Sequence, residues 1–169
     1  MKRPLILIKG AGDLASGIAL RLYRSGLTPI MTELAQPTAV RRTVAFSEAI
    51  TTGYAQVEDC RAVHAAAVCE ARRHAENHVI AVLTDEPGIS VKELQPDVLI
   101  DAIIAKRNLG TALQDAPAVI AVGPGFTAGV DCHAVVETAR GHTLGRVYYA
   151  DSNCRTALPN TGIPGEIGG

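Results

Sequence analysis

Residues 10–15 read Gly-Ala-Gly-Asp-Leu-Ala, directly after the apolar run Leu5-Ile6-Leu7-Ile8. The spacing is G-x-G-x-x-A. A turn of this kind, between a buried strand and an amphipathic helix, aims backbone N–H groups at a phosphate at the helix N-terminus. Gly10 permits the sharp turn, and Gly12 keeps a Cβ out of the path of a pyrophosphate. Ala15 takes the third small position and lets the helix pack close to its strand. Gly10, Ala11, Gly12, Asp13, Leu14 and Ala15 are therefore candidate cofactor contacts. Glu33 follows the glycines by roughly 20 residues, where an acidic residue binds a ribose 2′-OH. Arg41 and Arg42 lie just beyond it and suit a 2′-phosphate or another anionic group.

Further along the chain, Asp101 and Lys106 follow an apolar stretch. Asp101 suits a ligand hydroxyl or a helix cap, and Lys106 suits an anion or plain solvation. A second glycine-rich segment, Gly123-Pro124-Gly125-Phe126-Thr127-Ala128-Gly129, can approach a ligand closely or simply turn the chain. Gly123, Gly125 and Thr127 are its candidate contacts. The four cysteines (Cys60, Cys69, Cys132, Cys154) include no C-x-x-C pair, and the five histidines have no paired ligand spacing. No metal site is predicted. Cys69 reads as a small core residue on a helix, while Cys132 and Cys154 flank glycine-rich segments and are the thiols better placed for function. No nucleophile–base pair emerges from neighbouring signals. Binding apparatus is more legible than catalytic apparatus.

These residues need strands and helices to hold them. Leu14, Ile18, Leu22 and Leu27 recur at helical spacing, and Ser25-Gly26 supplies a stop. Strands are predicted at 29–33, 79–83, 97–100, 118–122 and 144–149, with helices at about 64–77 and 131–140. Residues 43–63 are ambiguous, with an extra strand possible at 54–57. Strands alternating with helical segments argue for an α/β fold. The expected architecture is a Rossmann-like three-layer fold, with a mostly parallel sheet and helices on both faces. Residues 1–150 form the nucleotide- or cofactor-binding domain. Residues 151–169, rich in Gly, Pro, Asn and Thr, read as a tail.

Composition agrees. The chain of 169 residues has room for one sizeable α/β domain. It is 47% hydrophobic but only 4% aromatic, so aliphatic side chains must fill the core, as in a covered parallel sheet. A net charge of -1 gives no electrostatic case for nucleic acid. No apolar stretch is long enough to span a bilayer. Met-Lys-Arg-Pro leads straight into a strand without the apolar core of a signal peptide, so a cytoplasmic protein is expected.

Five blocks occur in order: LIKGAGDLASGIALRLYRSG, MTELAQPTAVRRTVAFSEAI, PDVLIDAIIAKRNLGT, VGPGFTAGVDCHAVVETARGHTLGRVYY and PNTGIPGEIGG. Together they resemble the accessory proteins of selenium-dependent molybdenum hydroxylase systems, relatives of the XdhC/CoxI maturation factors. The resemblance covers nearly the whole chain. It implies a Rossmann-type domain that binds the molybdenum cofactor, as molybdopterin or its dinucleotide form, and delivers it to a molybdenum hydroxylase apo-enzyme. The matching positions are the turn at 10–17, the block at 36–43 with Arg41 and Arg42, the block at 101–106 and the loop at 123–129. The cysteine motif of some XdhC-type proteins has no clear counterpart here, and relatives commonly continue past the GIPGEI block. Two alternatives stay open: an NAD(P)-dependent oxidoreductase, with Tyr148 or His142 as proton donor, and a nucleotide-sensing regulatory module. A homodimer is the expected assembly.

Overall fold

The computed structural model describes residues 3–85 and 88–150. Nine strands form one sheet. They are β1 (Ile6–Lys9), β2 (Ile30–Glu33), β3 (Tyr54–Val57), β4 (Cys60–Ala65), β5 (Ile80–Thr84), β6 (Val98–Asp101), β7 (Ala118–Val122), β8 (Ala134–Val136) and β9 (Val147–Tyr149). Four helices accompany them: α1 (Asp13–Arg24), α2 (Glu48–Thr52), α3 (Val68–Glu76) and α4 (Ile89–Leu94). The spatial order is β3-β4-β5-β2-β1-β6-β7-β8-β9. Pairing is parallel except at the two edges, where β3 runs against β4 and β9 against β8. The chain winds one way from β1 to β2, and later returns to the other side of β1 as β6. The sheet thus has a topological switch point beside β1, where open α/β sheets place their ligands.

The fold follows from burial on two faces. Ile6 and Ile8 belong to one apolar cluster and Leu7 to the other, the period of two that a strand imposes. Ala15, Ala19 and Leu20 of α1 and Ala49 of α2 complete the first cluster. Ala71 of α3 with Val91 and Leu94 of α4 complete the second. Right-handed crossovers explain the partition, because α1 and α2 carry the chain away from β1 in one direction while α3 and α4 carry it back in the other. The three-layer Rossmann-like α/β architecture read from the sequence is therefore the one observed.

Several local expectations need correction. Residues 131–140 are not a helix: Ala134-Val135-Val136 form β8, parallel to β7. The return from β7 to β8 packs Phe126, Ala128 and Cys132 on the second face in place of a helix. The helix expected from residue 64 begins only at Val68, because residues 60–65 are β4. The ambiguous 54–57 stretch is an edge strand. Leu14 does not face the sheet but is 47% exposed; the inner face of α1 is made by Ala15, Ser16, Ala19 and Leu20 instead. Cys69 is exposed rather than in the core. The segment 151–169, with Cys154, lies outside the described residues.

Candidate cofactor-binding crevice

The first turn after β1 is tied down from three sides. The Gly10 N–H donates to the Thr32 carbonyl at 3.0 Å. The Ala11 N–H donates to Glu33 Oε2 at 3.1 Å. The Ala11 carbonyl accepts from Ser16 Oγ at 3.1 Å and from the Ser47 N–H at 2.8 Å. Ser16, fully buried on α1, also accepts the Phe46 N–H at 2.7 Å. Gly10 has φ +95°, and a Cβ there would lie 2.9 Å from the Ala102 carbonyl oxygen. Only glycine fits. Gly12 is different: it is the N-cap of α1, has ordinary φ, and a Cβ there would meet nothing within 4 Å. Its open side is space rather than protein. No side chain caps α1 at Gly12 among the described residues. The first N–H groups of a helix have no intrahelical acceptor, so this helix start is suited to a phosphate.

A cavity of about 730 Å³ opens beside this turn, at the carboxyl ends of β1, β2, β5 and β6. Gly10, Gly12, Asp13, Leu14, Glu33 and Arg41 line it, so six sequence-predicted residues converge there. Its volume lies within the range of small-molecule and cofactor pockets. Leu14, Leu34, Val40, Ile103 and Leu109 line it as well, and all five are exposed, an apolar rim suited to the flat face of a ring. Leu14 thus turns toward the cavity and not toward the sheet.

The carboxylates around the cavity mostly hold backbone. Glu33 accepts from the Ala11 and Leu34 N–H groups. Asp85 accepts from Ile89 and Ser90, fixing the start of α4. Asp115 accepts from Ala112. Glu33 therefore shapes the glycine turn directly, and a ribose hydroxyl would share a carboxylate that already holds two N–H donors. A carboxylate has further lone pairs for that purpose. Asp13 accepts from its neighbour Leu14 and meets Arg41 Nη2 at 2.7 Å. Arg41 is thus held over the helix start.

Other predicted residues fall elsewhere. Ala11 and Ala15 are fully buried and support the turn from within. Arg42 lies 3.9 Å from Glu48 and lines a second, smaller cleft on the far side of the 35–39 segment. Lys106 is exposed at φ +60° and is not part of the cavity lining. Gly123, Gly125 and Thr127 do not line the cavity either. Gly125 has φ +103°, and a Cβ there would fall 2.5 Å from Arg107 Cα. The loop after β7 therefore presses on the loop after β6, which forms one wall of the cavity. Thr127 and Asp131 close that loop on themselves, with the Thr127 N–H donating to Asp131 Oδ2 at 2.7 Å. Cys132 is buried, and burial pushes its thiol up to about 11. Burial also raises Cys60. Neither is an activated nucleophile. Of the proposed proton donors, Tyr148 is buried near Glu137 and His142 is exposed on a loop; neither lines the cavity. No group of three metal-ligating side chains occurs among the described residues.

Asp101, read from sequence as a ligand contact or a cap, is 1% exposed and belongs to a buried network. Its Oδ2 accepts from Thr111 Oγ1 at 2.5 Å, and its Oδ1 accepts from the Ile103 N–H at 3.2 Å. Lys9 Nζ donates to Thr111 Oγ1 at 2.6 Å and lies 3.5 Å from Asp101 Oδ2. Asn108 sets Thr111 in place: its Oδ1 accepts the Thr111 N–H and its Nδ2 donates to the Thr111 carbonyl. Sequence reasoning missed Lys9 and Thr111. A polar residue ending an otherwise apolar strand, directly before the glycines, was the available signal for Lys9. Thr111 carried none.

No family model matches this chain, and no solved structure does. An uncharacterized protein of Escherichia coli (strain K12), YqeB, is 51% identical over 165 residues. The match takes in 98% of this chain and 30% of that protein, so the chain spans under a third of the length of the curated relative it matches.

Proposed function

We propose that this domain binds a phosphate-bearing cofactor at the glycine turn and serves in the maturation of a molybdenum hydroxylase of the xanthine dehydrogenase type. The cofactor is the molybdenum cofactor, as molybdopterin or its dinucleotide, and the partner is the hydroxylase apo-enzyme. One observation carries the binding half of this reading. The start of α1, where Gly12 offers no side-chain cap and Asp13 takes the Leu14 N–H, opens on a cavity of about 730 Å³ at the switch point of the sheet, with Arg41 held beside it by Asp13. Backbone N–H groups and a guanidinium suit a phosphate, and the apolar rim suits a ring system. The maturation half rests on the sequence blocks that resemble XdhC/CoxI-type factors. The redox alternative is less well supported, because neither Tyr148 nor His142 lines the cavity.

Native mass spectrometry of gently purified protein tests the reading, with NAD, NADP, CTP and molybdenum cofactor offered in turn. Retention of the molybdenum cofactor in preference to NAD, NADP and CTP, lost in the Gly12→Asp variant, is the expected result. Retention of NAD or NADP alone refutes the carrier role and turns the reading to redox chemistry or sensing.

A further inference from the structure

Lysine is costly to bury, and Lys9 is only 9% exposed. It ends β1 opposite Asp101 in the register of β1 and β6. Lys9 shares the strand face of Leu7, two residues before it. Leu7 belongs to the cluster on the α3 and α4 side, and α1 packs on the other. The ammonium and the start of α1 therefore lie on opposite sides of the sheet edge, and the same cavity reaches both.

The donor count of Lys9 is incomplete. An ammonium carries three N–H donors. Thr111 Oγ1 takes one at 2.6 Å. The Asp101 carboxylate, at 3.5 Å, is beyond the usual charge-assisted hydrogen-bond length. Thr111 bridges instead, donating its own hydroxyl to Asp101. Within the pair, Lys9 keeps 11% of its side chain exposed against 2% for Asp101, so the cation is the member that reaches the cavity. A pair kept only for stability has no such need, since buried ion pairs are commonly replaced by apolar residues without loss. The cavity wall beside it is also strained. Ile104, a β-branched residue lining the cavity, sits at φ +60°, a conformation that clusters at ligand sites.

We infer that Lys9 is a second ligand anchor, donating to a carbonyl or anionic oxygen at the far end of a phosphate-bearing molecule that straddles the carboxyl edge of β1. Thr111 and Asp101 are positioning residues that hold the ammonium in place. The inference rests on the phosphate reading of the glycine turn and adds to it a ligand class. The ligand is an elongated molecule with a phosphate at one end and an oxygen acceptor at the other, not a simple phosphate.

Titration calorimetry with ADP and with NAD⁺ separates the two anchors. ADP offers the phosphates with nothing beyond them, and NAD⁺ extends the same adenosine diphosphate to a carboxamide oxygen at the far end. Lys9→Met is expected to keep ADP affinity and to weaken NAD⁺ by about tenfold or more, the range of a hydrogen bond to a charged group. Lys9→Arg should recover part of that loss. Should Lys9→Met fail to fold because Asp101 is left alone, the Lys9→Met/Asp101→Asn double variant removes both charges and is expected to show the same selective loss. Equal NAD⁺ affinity in wild type and variant overturns the inference, as does an equal loss of ADP and NAD⁺. If wild type binds neither probe, the phosphate reading of the turn falls, and the second anchor falls with it.

Discussion

Two glycine-rich segments of this molecule look alike on the page and do opposite work. The turn at 10–17 sets Gly12 where an added Cβ would meet nothing within 4 Å. The loop at 123–129 sets Gly125 where an added Cβ would meet the Arg107 backbone at 2.5 Å. The first glycine faces open space beside the cavity, and the second lets two loops of the same chain touch. One segment borders the cavity directly, and the other holds one of its walls. Glycine spacing alone does not separate these roles; what separates them is whether the missing side chain faces space or protein.

Gly125→Ala is the strongest way to break this comparison. The variant combines φ +103° with a backbone clash at Arg107, and a loss of about 3 kcal/mol is expected from that pairing of strain and overpacking. Gly12→Ala is the matched control. With ordinary φ and open space its cost is confined to a poorer N-cap, about 1 kcal/mol or less, yet it should block a phosphate. Denaturant unfolding of both proteins checks the difference. Equal destabilisation would mean that the two segments do the same work.

Thr111→Val comes next. It removes the hydroxyl between Lys9 and Asp101, at 2.6 Å and 2.5 Å, and leaves two buried charged groups without their bridge. A loss of about 2 kcal/mol is expected by the same measurement. The loop after β6 then loses its hold on Lys9 of β1 while the glycine turn stays intact. An unchanged midpoint would show that the network does not bind the loop after β6 to β1.

The return from β7 to β8 also has a pH signature. Burial raises the Cys132 thiol from an ordinary 9.0 to about 11. The folded state favours the protonated thiol, so its contribution is complete below about pH 9. It fades as the unfolded chain ionises and is gone once pH passes about 11. The loss is of the order of 2 kcal/mol. Cys132→Ala should flatten that part of the stability curve. A wild-type curve without a decline above pH 9 that the variant lacks would count against the burial of this thiol. At neutral pH, the exposed Cys69 should react with a thiol reagent well before Cys60 or Cys132.

The sequence conveyed these two regions unequally. The turn at 10–15 was legible because its information is local: an apolar strand, small residues at fixed spacing and a helix follow one another within one segment. The unbroken apolar run at 5–8 likewise carried a buried strand, which the structure covers on both faces. The return from β7 was not legible. Ala134-Val135-Val136 followed by Glu137 fits a helical stretch as well as a strand, and only pairing with β7 decides. The network of Lys9, Thr111 and Asp101 was hidden for the same reason. Lys9 and Thr111 are 102 residues apart, and Asn108 is needed to bring them together. Leu14 shows a third cause. Its spacing was right for a helix, but its side chain turns outward and lines the cavity rather than the sheet.

Arg41 gives the smallest effect on stability and the finest test of the glycine turn. Its ion pair with Asp13 has side chains 76% and 36% exposed, so Arg41→Ala should cost under about 1 kcal/mol. Ligand affinity is the more sensitive measure, because Asp13 and a bound phosphate compete for the same guanidinium at the same helix start. Arg41→Ala should weaken ADP binding severalfold at low salt, and less at high salt. Asp13→Asn should strengthen it, since the arginine is released and a negative charge leaves the phosphate site. The same variant loses a favourable acid in the first turn of α1, about 0.5 kcal/mol of stability. Opposite signs for the two variants in one titration would locate the phosphate at Gly12. The same sign in both would place it outside the reach of this pair and remove Arg41 from the site.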